Sequence, residues 1–133
     1  MLPHKHFIFS AILIIITALF FFPSLSYTQM LIWVLIGGAL SILVDLDSTI
    51  LLAISKDKAL KPYRNFIYLN KHFNQFIKII AKNGILRTAA KTHIILSALF
   101  VALSYLLWPA YLTPSLIGIA SHLLSDIPAL RYL

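Results

Sequence analysis

Gly118-Ile-Ala-Ser-His122-Leu-Leu-Ser-Asp126 is an apolar run into which a histidine and an aspartate are set four positions apart. On a helix, positions i and i+4 lie about one turn apart on one face, so His122 and Asp126 point the same way and form a two-ligand claw. An ionised aspartate among Leu, Ile and Ala is costly without a partner. Other polar groups must therefore meet this face, and the fold is whatever arrangement of the remaining segments delivers them.

Composition says what kind of arrangement that is. The 133 residues are 60% hydrophobic and only 11% charged, with mean hydropathy +0.91, which is the composition of an integral membrane protein. The length suits a single all-α domain over residues 1–133 and leaves no room for a separate soluble catalytic domain. The absence of cysteine excludes a disulfide framework, a thiolate metal site and a cysteine nucleophile. There is no glutamate either. Of the four acids, Asp45, Asp47 and Asp126 fall inside or at the ends of apolar segments, and only Asp57 sits in a basic stretch.

Working outward from the claw, three further apolar segments emerge. Residues 7–22 follow His6 and stop at Pro23, and with their flanks they are long enough to cross a hydrocarbon core about 30 Å thick. A basic start and a Ser24-Leu25-Ser26 exit also fit a signal peptide. The apolar core is at the long limit for one, however, and cleavage would discard His6, so the run reads as a membrane span. His6, Ser10 and Thr17 form one polar stripe, expected to face the bundle. Residues 30–43 continue the pattern, with Gly37, Gly38 and Ser41 as close-packing positions. They lead to Asp45-Leu-Asp47, whose aspartates lie on nearly opposite sides of a helix; both reach one site only if the helix unwinds or ends between them, and an end near Asp47 is expected. Thr92-His93 opens the segment 94–107, with Ser97 and Ser104 on the same stripe as His93. The last segment, 115–127, rises only about 20 Å. It either continues towards Leu133 or ends inside the protein, with Asp126 in a water-filled cavity.

Residues 55–92 form the one long polar segment, carrying Lys56, Lys58, Lys61, Arg64, Lys71, Lys78, Lys82, Arg87 and Lys91 against the single acid Asp57. The positive-inside rule places this loop in the cytoplasm. A multi-pass protein of the cell membrane follows, with four transmembrane helices and both termini inside. Within the loop, Tyr63, Phe66, Phe73, Phe76, Ile77 and Ile80 recur at helical spacing opposite Arg64, Lys71, Lys78 and Lys82, with Asn83-Gly84 as a C-cap. That is an amphipathic helix between the second and third spans. It either lies on anionic lipid headgroups or packs on the bundle. Nucleic acid is the weaker partner for this charge.

Threading this topology through a bilayer brings His6, Asp45, Asp47, His93, His122 and Asp126 towards the cytoplasmic side, with His122 the deepest. Three histidines and three aspartates suit one or two divalent ions, Zn²⁺ or Mn²⁺. The competing arrangement pairs the acids with Lys82, Arg87 and Lys91. His4 and His72 have no comparable company and read as interfacial residues.

These motifs carry a resemblance. His6-Phe-Ile-Phe-Ser10, the Asp45-Leu-Asp47 pair after a Gly-rich apolar helix, Thr92-His93, and Gly118 to Asp126 resemble, in order, the motifs of the YdjM-like family of membrane-bound metal-dependent hydrolases. The resemblance implies a multi-helix membrane protein with a His/Asp metal site and hydrolase activity. The His-x-x-x-Asp helix is also similar to one in zinc-dependent phospholipase C, which implies phosphoester chemistry. Val44 stands where the family has a proline before its Asp pair, and Ala89-Ala-Lys-Thr-His-Ile94 replaces an Arg-Gly-x-Thr-His-Ser run.

The resulting expectation is a metal-dependent hydrolase of a lipid or lipid-linked ester, with His6, Asp45, His93, His122 and Asp126 as metal ligands. The metal lowers the pKa of a bound water towards about 7, and Asp47 takes the proton. The alternative is a non-enzymatic membrane protein: structural, lytic, or an ion or metal conduit. A conduit needs polar residues reaching the outer face, and the outer halves of these segments are almost wholly apolar.

Overall fold

The structure, a computed structural model, describes residues 3–131. They are almost entirely helical: α1 (Pro3–Phe21), α2 (Tyr27–Leu43), α3 (Leu46–Ile54), α4 (Phe66–Lys71), α5 (Phe73–Lys82), α6 (Ile85–Leu107) and α7 (Leu112–Leu130), with short 3₁₀ turns before α4 and α7. Pro23 follows the end of α1, and a capping box opens α2. Ser26 Oγ accepts the Gln29 backbone N–H (3.3 Å), while Gln29 Oε1 accepts that of Ser26 (2.8 Å).

Helices α1, α2 and α7 pack as a trio, α6 lies against α7, and α3 and α5 both pack on α6. Helices α2 and α7 cross closely, so that a methyl group at Gly118 would collide with the backbone of Gly37. Only glycine permits that approach. Because His122 lies one turn beyond Gly118, the crossing also sets the depth of the claw.

The bundle is inverted relative to a soluble one. His6, Ser10, Ser41, Ser97, Ser104, Ser115, Ser121, His122 and Ser125 are buried, while Ile8, Ile12, Ile16, Leu19, Leu31, Leu35, Ile95 and Leu99 are exposed. Apolar surface of this extent belongs against lipid. Two hydroxyl pairs join neighbouring helices inside: Ser10 Oγ with Ser121 Oγ at 2.5 Å, and Ser104 Oγ with Ser115 Oγ at 3.0 Å. The expected stripe of α1 does face inward, as His6, Ser10, Ile14 and Ala18, with Thr17 half-buried at its edge.

Three helical stretches are long and apolar enough to cross a membrane: Pro3–Phe21, Tyr27–Ile54 and Ile85–Leu107. Four were expected. Helix α7 continues through Pro128, the first of its two anticipated forms, and its 19 residues rise about 28 Å. Its inward face of Ser115, Ser121, His122, Ser125 and Asp126 lowers its hydropathy below that of the other three.

Two boundaries differ from expectation. The helix carrying the aspartate pair does not stop at Asp47. It breaks at Val44–Asp45, where the Asp45 N–H donates to the Ile42 carbonyl three residues back (3.0 Å), and resumes as α3. Helix α6 begins at Ile85, so Thr92 and His93 lie two turns inside it. The preceding joint is Gly84, at φ +72°, a left-handed position that closes α5 as the Asn83-Gly84 signal implied.

The amphipathic segment is not one helix but a 3₁₀ turn followed by α4 and α5. Its apolar face packs inward: Leu60, Tyr63, Ile77, Ile80 and Leu86 form a buried cluster, backed by Leu52, Phe73, Phe76 and Ala129. Phe66 and Ile67 on α4 remain exposed.

Candidate metal centre

Four elements deliver the site. Helix α1 supplies His6 from its first turn, the break between α2 and α3 supplies Asp45, α6 supplies His93, and α7 supplies His122 and Asp126. His6 and His122 are fully buried, and their rings stack with centroids 4.1 Å apart. Asp45 sits at the N-cap of α3, but its carboxylate makes no capping hydrogen bond and turns towards the histidines instead.

Ligand atoms of His6, Asp45, His122 and Asp126 all lie within 4.8 Å of one another. His122 Nε2 is 3.3 Å from Asp126 Oδ2 and 3.9 Å from Asp45 Oδ1. His6 Nε2 is 3.4 Å from Asp45 Oδ2 and 3.5 Å from Asp126 Oδ1. These separations exceed the 2.7–3.2 Å of an N–H···O hydrogen bond. Three of them, at 3.3–3.5 Å, fall in the range that separates neighbouring ligands of a tetrahedral Zn-like ion, whose 2.0–2.2 Å bonds put its ligands about 3.3–3.6 Å apart. Consistent with that, both ring nitrogens of His122 and Asp45 Oδ2 are buried with no hydrogen-bond partner among the described residues. Such groups are costly unless something else satisfies them. The donor set therefore fits a divalent cation held by two imidazoles and two carboxylates.

The groups behind these residues set their tautomers. The Ser125 hydroxyl donates to the His122 carbonyl at 2.8 Å, so its oxygen accepts from His6 Nδ1, 2.6 Å away. That leaves the lone pair of His6 on Nε2, facing the cluster. The same logic applies to His93. Its Nδ1 donates to Asp47 Oδ2 at 2.8 Å, and its Nε2 points inward, 3.4 Å from Asp45 Oδ1 and 3.8 Å from Asp126 Oδ2. Thr92 Oγ1 also hydrogen-bonds to Asp47 Oδ2.

Of the five residues read as ligands, four form the tight group, and His93 stands at its rim with Asp47 behind it. Among the described residues, no lysine or arginine comes within ion-pair reach of Asp45 or Asp47; their basic neighbours are histidines. His4 packs edge-on against Phe66, and His72 stacks on Tyr68, both away from the site. In the sequence, Thr92 is marked only as part of the Thr92-His93 motif, and Ser125 is given no role. Ser125 had a visible signal, since it follows His122 by three residues and shares its helical face. Comparisons with family models, curated proteins and solved structures each find no match.

Proposed function

We propose that this protein is a membrane-embedded, metal-dependent hydrolase that cleaves an ester or phosphoester of a lipid or lipid-linked substrate on the cytoplasmic side, as the resemblance to the YdjM-like family implies. The observation that carries the proposal is His122 Nε2, fully buried, without a hydrogen-bond partner among the described residues, and set 3.3 Å from Asp126 Oδ2 and 3.9 Å from Asp45 Oδ1. His6, Asp45, His122 and Asp126 hold the ion, with Zn²⁺ or Mn²⁺ best suited to the donors. When bound, the ion polarises the scissile group and acidifies water.

The remaining chemistry falls to His93. Its Nε2 faces the cluster, and Asp47 holds its other nitrogen, so it is placed to take a proton from the attacking water and return it to the leaving group. In this reading Asp47 acts through His93 as a positioning residue, and does not take the proton itself. Helix α7 forms a fourth crossing, its polar face sheltered by α1, α2 and α6. The 55–92 segment lies on the cytoplasmic side, its lysines towards anionic headgroups.

The test is elemental analysis of detergent-purified protein, followed by hydrolysis of p-nitrophenyl palmitate and bis(p-nitrophenyl) phosphate with and without added Zn²⁺ or Mn²⁺. Stoichiometric metal and a metal-dependent rate are expected. Protein that takes up no metal overturns the reading.

A further inference from the structure

A cavity of about 630 Å³ lies between α5, α6 and α7, within the range that holds a small ligand. Its walls are Ile77 and Ile80 from α5, Ala90 and Ile94 from α6, and Leu123 and Leu124 from α7. The lining also includes Ser48 and three members of the His/Asp group, Asp45, His93 and Asp126. The cavity is thus a mainly apolar groove in contact with the His/Asp cluster.

Its mouth is apolar as well. Ile94 is 65% exposed, Leu124 56% and Ile127 50%, and all three line the groove. These residues belong to the faces of α6 and α7 that carry the exposed apolar surface of the bundle. A rim of this kind opens to hydrocarbon, and a water-soluble substrate would gain nothing from it.

From this we infer that the groove binds one hydrocarbon chain of a membrane lipid, entering sideways from the bilayer between α6 and α7 and placing the lipid's polar group against Asp45, His93 and Asp126. For its polar end the inference rests on the proposed metal centre; its apolar end rests on the groove alone. Helix α5 becomes the inner wall of a lipid site, with Ile77 and Ile80 shared between that wall and the buried cluster behind it. The substrate class follows: a single-chain amphiphile, or one chain of a larger lipid.

The experiment uses the full chain in detergent and a hexadecyl phosphonate carrying a diazirine at mid-chain. The expected result is photolabelling concentrated on the groove residues of α6 and α7. Excess unlabelled hexadecyl phosphonate should reduce it at least tenfold, and butyl phosphonate should not. Ala90→Phe, which narrows the groove, should lower labelling by a similar factor, while Ile16→Phe on the outer face of α1 should leave it unchanged. Labelling spread evenly over the lipid-facing helices, or insensitive to the hexadecyl competitor in the wild type, overturns the inference without recourse to any variant. The two readings fail separately. A groove that labels in a protein without metal or turnover removes the hydrolase and keeps the lipid site. Metal-dependent hydrolysis without groove labelling does the reverse.

Discussion

Asp45 and Asp47 flank opposite nitrogens of the same imidazole: Asp45 Oδ1 lies 3.4 Å from His93 Nε2, and Asp47 Oδ2 accepts from His93 Nδ1 at 2.8 Å. Residues two apart on an unbroken helix diverge, so this clamp depends on the interruption at Val44–Asp45. One carboxylate faces the His/Asp cluster and the other orients the ring.

A division of labour between His93 and the four ligands follows. His93→Ala should retain metal at wild-type stoichiometry and lose hydrolysis by at least a hundredfold. Asp47→Asn should keep metal and lower kcat about 10–100-fold, as removal of an orienting carboxylate commonly does. If His93→Ala instead comes out metal-free, His93 is a fifth ligand.

The ligand pair on α7 should behave as one unit. Asp126→Asn should bind metal far more weakly, and a chelator should lower the melting temperature of the wild type towards that of the variant while leaving the variant nearly unmoved. His122→Ala should match it, and the double variant should cost little more than either single change, because both report one site. Additive losses in melting temperature would show two independent structural roles.

Gly118→Ala puts a methyl group into the backbone of Gly37. Overpacking of this kind costs about 1–3 kcal/mol. Because the displaced helix carries His122 one turn further on, metal affinity should fall together with stability. Gly84→Ala is the contrast: no atom crowds that position, so only the left-handed backbone is strained, for about 1–2 kcal/mol, and metal affinity should hold. Chemical denaturation and metal titration of both variants separate the cases.

Reporter fusions test the orientation. A fusion between Ser55 and Thr92 should read cytoplasmic, and one at Thr113, before the inward face of α7, should read external. The opposite labelling puts the His/Asp cluster on the outer side and removes an intracellular substrate.

Much of the site was legible because its residues violate their surroundings. His122 and Asp126 stand out in an apolar run, and the i, i+4 spacing fixes their common face without reference to the rest of the chain. Asp45 and Asp47 were legible as a pair that needs a broken helix. The place of the break was not, since neither Val44 nor Asp45 is a glycine or proline. The roles of Ser125 and Thr92 depend on which rings come to lie beside them, a long-range property that helical spacing does not encode. In residues 63–80, one periodicity fits both a membrane surface and a protein core. Only the third dimension separates Ile77 and Ile80, which are buried, from Phe66 and Ile67, which are exposed.

The hydrogen bond between Ser125 and His6 joins positions 119 apart in the chain. During synthesis, α1 enters the bilayer long before α7 exists, and His6 and Asp45 must wait there for His122 and Asp126. Under the proposed function, metal capture would therefore be a late event in biogenesis, and a chain stalled or clipped before α7 would have no route to a loaded site. In a membrane that holds both finished and unfinished copies, the ion would distinguish the two.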